Sequence, residues 1–150
     1  MKTCKKIGIG FLLLPLVLIV LIIIYELVGM EINHASTDKQ TGVLRDTLED
    51  SVNDIEIINE NSLTGNTGNG NHVECVSEIT FSSEMEETEM ISAFSDKMSK
   101  DIKESYLGAN GCYFIDCGEN GIVRFSKNDD GNYLCRMVKS APFSDNIEGH

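Results

Sequence analysis

The side chains best suited to covalent chemistry in this chain are cysteines. Four of the five lie beyond residue 70, at Cys75, Cys112, Cys117 and Cys135. An even number of cysteines in a domain outside the cytoplasm favours structural disulfides, and the sequence leaves three pairings open. Reduced thiols and a metal site are the alternatives. Cys112 and Cys117 lack the second close pair that zinc sites use, and no Cys-x-x-Cys pair of a redox enzyme is present.

Other residues with catalytic or metal-binding potential are scattered along the sequence. His34, His72 and His150 lie in a juxtamembrane segment, at a loop end and at the last position. Residues 128–132 combine aspartates with a glycine, but they lack the alternating ligands and the distant glutamate of an EF-hand, so a hairpin turn explains them better. We therefore predict no catalytic, cofactor-binding or metal-binding residue, and a protein that is not an enzyme.

The strongest pattern is an apolar run at residues 7–25, which contains no charged side chain. A run of this length crosses a bilayer as a helix. Three lysines precede it, whereas Glu26 and Glu31 follow it, and positive charge stays on the cytoplasmic side. We predict a cytoplasmic N-terminus at residues 1–6, a transmembrane helix at 7–28, and a single-pass cell-membrane protein whose C-terminal domain lies outside.

A cleaved signal peptide is the alternative interpretation of the same run, and it would release a small secreted protein containing disulfides. The apolar region of a signal peptide usually has about 7–15 residues and ends at a small-x-small site. This run is longer, and neither residues 27–29 nor 33–35 make a good cleavage site. The sequence therefore favours an uncleaved anchor.

The charge of the chain limits its partners. The formal net charge is −12, and the lysines before the span belong to its other side. Such an acidic outer part disfavours nucleic acid and anionic lipid headgroups as its partners. The bilayer itself remains as the predicted partner of the apolar helix.

Two segments separate the span from the rest of the chain. Large aliphatic residues recur at steps of three and four, which predicts an amphipathic helix within residues 29–58 that continues the membrane helix as a stalk. Residues 59–71 contain three glycines and five asparagines and are predicted to form a flexible loop. The aliphatic residues of the stalk are Leu44, Leu48, Val52, Ile55 and Ile58.

Residues 72–140 are predicted to form a small α+β domain, followed by a C-terminal tail at 141–150. A strand rich in β-branched residues covers 72–81. Ser83 and Glu86 match a capping box, which opens a long helix that continues to Leu107. The fold class is thus α+β, with one long helix packed on a small antiparallel sheet.

The sheet is predicted to be a three-stranded meander within residues 112–139. Three-residue loops at 119–121 and 129–131, each ending in glycine, determine its register. Cys112 and Cys117 would face opposite sides of one strand, and Cys117 and Cys135 would be separated by the middle strand. The predicted neighbours are Ile115 with Phe125, Cys117 with Val123, Asp116 with Arg124, Phe125 with Cys135, and Val123 with Met137.

The anchor carries a family-level pattern. Residues 11–15 read FLLLP, Glu26 follows eleven residues after Pro15, and then comes Gly29. Over roughly residues 5–58 this resembles the anchor of TadE-like pilins of the tight-adherence (Tad) pilus system, in which a proline interrupts a leucine-rich span and an acidic residue closes it. The resemblance implies that Pro15 and Glu26 are anchor residues and that other pilus or membrane-helix subunits are partners.

Our leading hypothesis from the sequence is a non-enzymatic, membrane-anchored outer protein that is a pilin-like or pilus-biogenesis component. The alternatives are a membrane-anchored ligand-binding or sensor domain and the secreted domain described above.

Overall fold

The computed structural model describes residues 2–68, 70–98, 104–108 and 111–150, with side chains from residue 13 onward. One long helix, a second helix and a six-stranded antiparallel sheet make up the fold, which confirms the α+β class. The sheet has the strand order β1-β2-β6-β5-β4-β3. Its elements are α1 Lys2–Ser51, β1 Glu56–Gly65, β2 Glu74–Ser82, α2 Glu87–Met98, β3 Glu104–Leu107, β4 Tyr113–Asp116, β5 Ile122–Lys127 and β6 Tyr133–Ser140, with short 3-10 turns at Gly118–Asn120 and Ile147–Gly149.

Helix α1 runs for 50 residues and joins the predicted span to the predicted stalk. Its N-terminal part is long and apolar enough to cross a membrane, which is compatible with a single-pass membrane protein. The stalk prediction is wrong at its end, because the helix stops at Ser51 and Asp54 takes a left-handed conformation, with φ 51°, that reverses the chain. Ile55 consequently lies in the turn, and Ile58 is an exposed residue of β1.

The predicted flexible loop at 59–71 is mostly a strand. Residues up to Gly65 belong to β1, which pairs along β2 and forms an edge of the sheet. The asparagines and glycines indicated a loop, but hydroxyl groups at Ser62 and Thr64 bond to α1 and hold the strand in place.

The predicted helix from Ser83 to Leu107 is too long at both ends. Helix α2 covers Glu87–Met98, residues 99–103 lie outside the described residues, and Glu104–Leu107 form edge strand β3. The capping box is also wrong, because the Ser83 hydroxyl accepts a hydrogen bond from the N–H of Met85 at 3.1 Å. Phe94 of α2 packs in the core, edge-on to Phe125 at 4.9 Å between ring centroids.

The predicted register of the meander is confirmed at its second turn, whereas at its first turn the register is shifted by two residues. Phe125 pairs with Cys135, and Val123 pairs with Met137. In the first turn, however, the three-residue loop is Gly118–Asn120, one residue earlier than predicted. The Asp116 carboxylate accepts a hydrogen bond from the N–H of Gly118, whose φ of 61° starts this turn.

The shift changes which residues of β4 and β5 are paired, but each side chain stays on its predicted face of the sheet. Ile115 pairs with Val123 rather than with Phe125, and Asp116 pairs with Ile122 rather than with Arg124. Cys117 bonds through its N–H to the carbonyl of Gly121, so it is not opposite Val123. Moving the register by two residues keeps each side chain on its own side of the sheet. The inner face therefore still carries the core, which α1 and α2 cover.

Candidate functional site

Glu26, one of the two predicted anchor residues, holds the C-terminal segment against α1. Its carboxylate accepts a hydrogen bond from the N–H of Ile147 at 3.0 Å, and its carbonyl accepts one from Asn146 Nδ2 at 2.8 Å. The predicted tail at 141–150 is therefore an ordered part of the domain, because its polar groups find partners on the helix. We call residues 141–150 the C-terminal clasp. Pro15, the other anchor residue, lies inside α1.

Further contacts tie the clasp to the same side of α1. Asn33 makes two hydrogen bonds with the backbone of Phe143: its Nδ2 donates to the carbonyl at 3.0 Å, and its Oδ1 accepts from the N–H at 2.9 Å. The ring of Phe143 packs edge-on to Tyr25 at 5.7 Å between centroids. The His34 imidazole meets the Glu148 carboxylate at 2.7 Å.

Gly29 allows this close approach. It is buried in α1, and a Cβ at this position would lie 2.7 Å from Asn146 Nδ2 and 3.3 Å from the Phe143 ring. Because real Cβ atoms do not approach other atoms this closely, any larger residue at position 29 would require the Asn146 amide to move. Glycine in a helix interior lowers helix stability, which makes a packing reason the natural explanation for its presence here.

The clasp is also bonded to the sheet side of the domain. The N–H of Val73 donates to the carbonyl of Ser144 at 2.7 Å, and the N–H of Ala141 donates to the carbonyl of Val73 at 3.0 Å. Asn66 Nδ2 donates to the carbonyl of Gly149 at 2.8 Å. The clasp thus joins α1 to the sheet at the end of the domain where the apolar part of α1 leaves it.

Beyond the clasp, a buried polar stripe on α1 continues the contact with the sheet. Gln40 Nε2 donates to the carbonyls of Cys75 and Met137, at 3.2 and 3.0 Å. The Thr41 hydroxyl lies 2.7 Å from the hydroxyls of both Ser62 and Ser77. Apart from Gln40 Oε1, which has no hydrogen-bond partner among the described residues, these buried groups have partners, and their hydrogen bonds hold the helix in one register on the sheet. The stripe consists of Asn33, Thr37, Gln40 and Thr41, and it leads into Leu44 and Leu48.

The outer face of the sheet, opposite α1 and α2, carries a second arrangement of polar side chains. Five residues from five neighbouring strands are direct register partners and form one row. Arg136 and Arg124 stand side by side in it, although like charges directly opposite each other are destabilising. The row reads Glu78, Arg136, Arg124, Phe114 and Tyr106.

The two arginines of this row have different surroundings. Arg136 forms an ion pair with Glu78 at 3.3 Å. Arg124 makes no ion pair with any described residue; its Nη2 donates to Cys112 Sγ at 3.0 Å, and its guanidinium lies 6.0 Å from the centre of the Phe114 ring. Both arginines line an open groove of about 920 Å³ with Asp116 and Lys139. The groove can therefore present one guanidinium to an anionic group.

No disulfide bond joins Cys75, Cys112, Cys117 and Cys135 in the described part of the chain, so the structure does not show the predicted disulfides. All four are buried; Cys117 and Cys135 belong to the main core, whereas Cys75 lies in a smaller cluster with Val73 and Ala141. Cys117 directly follows β4 and Cys135 lies in β6, two strands away or about 10 Å, whereas a disulfide needs Cα atoms within about 7 Å. Burial raises the pKa of the Cys135 thiol well above its ordinary value, and the nearby Cys117 raises it further.

The remaining polar candidates stay apart from one another. His34 of α1 contacts Glu148 of the clasp, His72 lies 3.5 Å from Glu74, and His150 is at the exposed end of the clasp. Residues 128–132 form the predicted hairpin turn, closed by a hydrogen bond from the N–H of Asn128 to the carbonyl of Asn132 at 2.8 Å. Within the described ranges, no group of three or more His, Cys, Asp or Glu side chains could hold a metal ion.

Comparison with protein-family models, with curated proteins and with solved structures finds no match to this chain.

Proposed function

We propose that this chain is a non-enzymatic, single-pass membrane protein that holds a rigid α+β domain outside the cell membrane, as a pilin-like or pilus-biogenesis subunit. The observation that carries the proposal is the difference in burial between the two halves of α1. Its C-terminal half packs against the sheet, while its large apolar side chains from Leu13 to Ile24 stay about half exposed. The apolar half is thus available to lipid and to neighbouring helices.

The dimensions of α1 agree with this role. Residues 7–28 span about 33 Å at about 1.5 Å per residue, which matches a hydrocarbon core of about 30 Å. The same helix then continues into the domain without a break. The three lysines before the span favour a cytoplasmic N-terminus, which would direct the domain outward.

The clasp supports an uncleaved anchor over a removed signal peptide. Glu26, Gly29 and Asn33 all contact it, and the first two lie within or next to the apolar segment. Cleavage after residue 29 would remove Glu26, and cleavage after residue 35 would remove Asn33 as well, so polar groups of the clasp would lose their hydrogen bonds. Retaining the helix satisfies them.

The pilin-like part of the proposal follows from how such a helix can assemble. Membrane helices associate by packing and by hydrogen bonds, since lipid is as apolar as their side chains. A stiff helix that continues into a domain would keep the domains of an assembly in a fixed orientation. The resemblance of the anchor to TadE-like pilins, with Pro15 inside the span, favours the same reading.

The anchor can be tested by extracting native membranes with alkaline carbonate and measuring the intact mass. We expect full-length protein in the membrane pellet. Loss of the whole span, or release into the supernatant, would refute the anchor. A pilin-like subunit would also be found in sheared surface fractions, and unaltered pili in a deletion strain would refute the pilin-like part.

Lateral assembly needs a separate test in which one cysteine at a time is introduced into a Cys4→Ser background, whose four remaining native cysteines are buried. Cysteine is placed in turn at positions 21–24, which sample all sides of the helix because successive residues differ by about 100°. We expect oxidative cross-linking to dimers at one or two of these positions and none with Asn61→Cys, which is exposed on β1. No dimer at any of the four positions would show that the anchor stands alone.

The alternative function is an anchored ligand-binding or sensor domain, and the groove beside Arg124 is the observation in its favour. A small dicarboxylate should then raise the melting temperature of the protein. Arg124→Gln should abolish that rise. Lys127→Gln, which alters another exposed cation of β5, is the control. Equal rises in melting temperature for the parent, Arg124→Gln and Lys127→Gln would exclude Arg124 as the binding residue.

A further inference from the structure

The clasp lies at the level where the predicted span ends. Tyr25 and Glu26 belong to the last turn of residues 7–28, and both contact the clasp. With a rise of about 1.5 Å per residue, they are within about 5 Å of the end of the span. Phe143, which packs on Tyr25, and Ile147, whose N–H is bound by Glu26, therefore lie at the membrane boundary.

Apolar side chains are exposed at this level. Tyr25 and Ile147 are each 60% exposed, Pro142 is exposed and Phe143 is half-buried. Tyrosine is enriched where the hydrocarbon meets the headgroups, because its ring is apolar and its hydroxyl is polar. These side chains adjoin the exposed apolar side chains of the span itself, including Leu27.

The polar groups of the clasp permit contact with lipid. Backbone groups near a bilayer must find partners within the protein. Glu26 accepts from the N–H of Ile147, Asn33 satisfies both backbone groups of Phe143, and Asn146 Oδ1 accepts from the N–H of Glu148. The clasp thus presents side chains rather than bare backbone to its surroundings at these positions.

We propose that the tip of the clasp, Pro142, Phe143 and Ile147, inserts into the interfacial layer of the outer leaflet, so that the domain is attached to the bilayer by the clasp as well as by the helix. The inference rests on the proposed membrane anchor. Its lipid partner is a zwitterionic phospholipid surface, because the exposed Asp145 of the clasp would be repelled by anionic headgroups. The consequence is a domain that sits on the membrane instead of standing away from it.

The absence of tryptophan from the sequence makes a direct test simple. The full chain with Ile147→Trp is reconstituted in phosphatidylcholine vesicles whose acyl chains are brominated near the glycerol. Ile122→Trp is the matched control, because Ile122 is a similarly exposed isoleucine, at 51%, on the outer face of the sheet. We expect blue-shifted emission and several-fold stronger quenching by brominated lipid for Ile147→Trp than for the control.

Equal emission and equal quenching in the two variants would overturn the inference. Pro142→Trp provides a second reporter on the clasp if Ile147→Trp disturbs its folding, and it should give the same blue shift and quenching. Vesicle flotation after an alkaline wash is measured on each sample. Protein that floats without quenching refutes only the clasp insertion, whereas protein that does not float refutes the membrane anchor.

Discussion

Two glycines in α1 should respond in opposite ways to the same substitution. Gly29 and Gly42 both lie inside the helix, where replacing glycine by alanine favours folding by about 0.8–1.0 kcal/mol. At Gly42 no atom lies within 4 Å of the new Cβ, so the gain should be realised. At Gly29 the new Cβ would lie 2.7 Å from Asn146 Nδ2.

The cost at Gly29 can be estimated from the contacts. Asn146 is only 3% exposed, so its amide cannot turn into water, and moving it breaks the bond to the carbonyl of Glu26. A lost partner of a buried polar group costs about 1–3 kcal/mol, and overpacking costs a similar amount. One displacement of Asn146 accounts for both costs, so we take a combined cost of about 2–4 kcal/mol; after the helix gain of about 1 kcal/mol is subtracted, Gly29→Ala should destabilise the domain by about 1–3 kcal/mol.

The assay is thermal unfolding of both variants in identical nanodiscs, followed by near-ultraviolet circular dichroism. At about 4 °C per kcal/mol for a domain of this size, the two melting temperatures should differ by roughly 8–16 °C. Gly42→Ala should melt above the parent and Gly29→Ala below it. If Gly29→Ala is as stable as Gly42→Ala, the clasp does not pack on α1 as described.

Three further substitutions test the core and the outer face. Cys135→Ala should reduce the loss of stability at high pH, because the raised pKa of Cys135 gives stability that is complete below the unfolded pKa of about 8.5 and is lost as pH rises toward the folded pKa. In urea denaturation from pH 7 to 10, the parent should lose up to about 1.4 kcal/mol per pH unit more than the variant, and an equal pH dependence of the two proteins would contradict this. Gln40→Met should cost about 1–2 kcal/mol in chemical denaturation, because two strand carbonyls lose their donor; an unchanged midpoint would mean that these bonds contribute nothing. Arg124→Gln should stabilise the ligand-free domain by about 0.2–1 kcal/mol, because it removes a like-charge neighbour of Arg136. A lower melting temperature of the variant would show that Arg124 stabilises the domain in spite of this repulsion.

The sequence predicted the elements whose hydrophobic pattern is regular. The apolar run, the strand before Ser83 and the second hairpin turn were all visible, because each depends on local period or on a glycine in a turn. Strand β1 was missed because it is held by backbone pairing with β2 and by hydroxyl contacts with α1, which no local pattern of apolar residues reveals. The edge strand β3 was assigned to a helix for the same reason: its four residues are exposed and carry no buried stripe.

The candidate site shows a similar limit. Glu26 was noticed for its position after the span, but its partners lie more than a hundred residues away in the chain. One signal in the sequence could have indicated the contact: Gly29, Asn33, Thr37 and Thr41 are spaced by four residues and continue the stripe of Leu44 and Leu48. A stripe of small and polar residues at helical spacing indicates a buried face when its groups can reach backbone partners on the facing sheet.

In the proposed membrane-anchored protein, the clasp and the polar stripe together determine how a movement of the apolar part of α1 reaches the domain. A span joined to a domain by a flexible linker could tilt without moving it. Here the helix enters the domain unbroken, and hydrogen bonds from Glu26, Asn33 and Gln40 fix its rotation against the clasp and the sheet. Tilt or rotation of the span must therefore move the whole sheet, including the outer face with Arg124. This rigid connection suits a subunit whose neighbours in the membrane determine how its outer surface is presented.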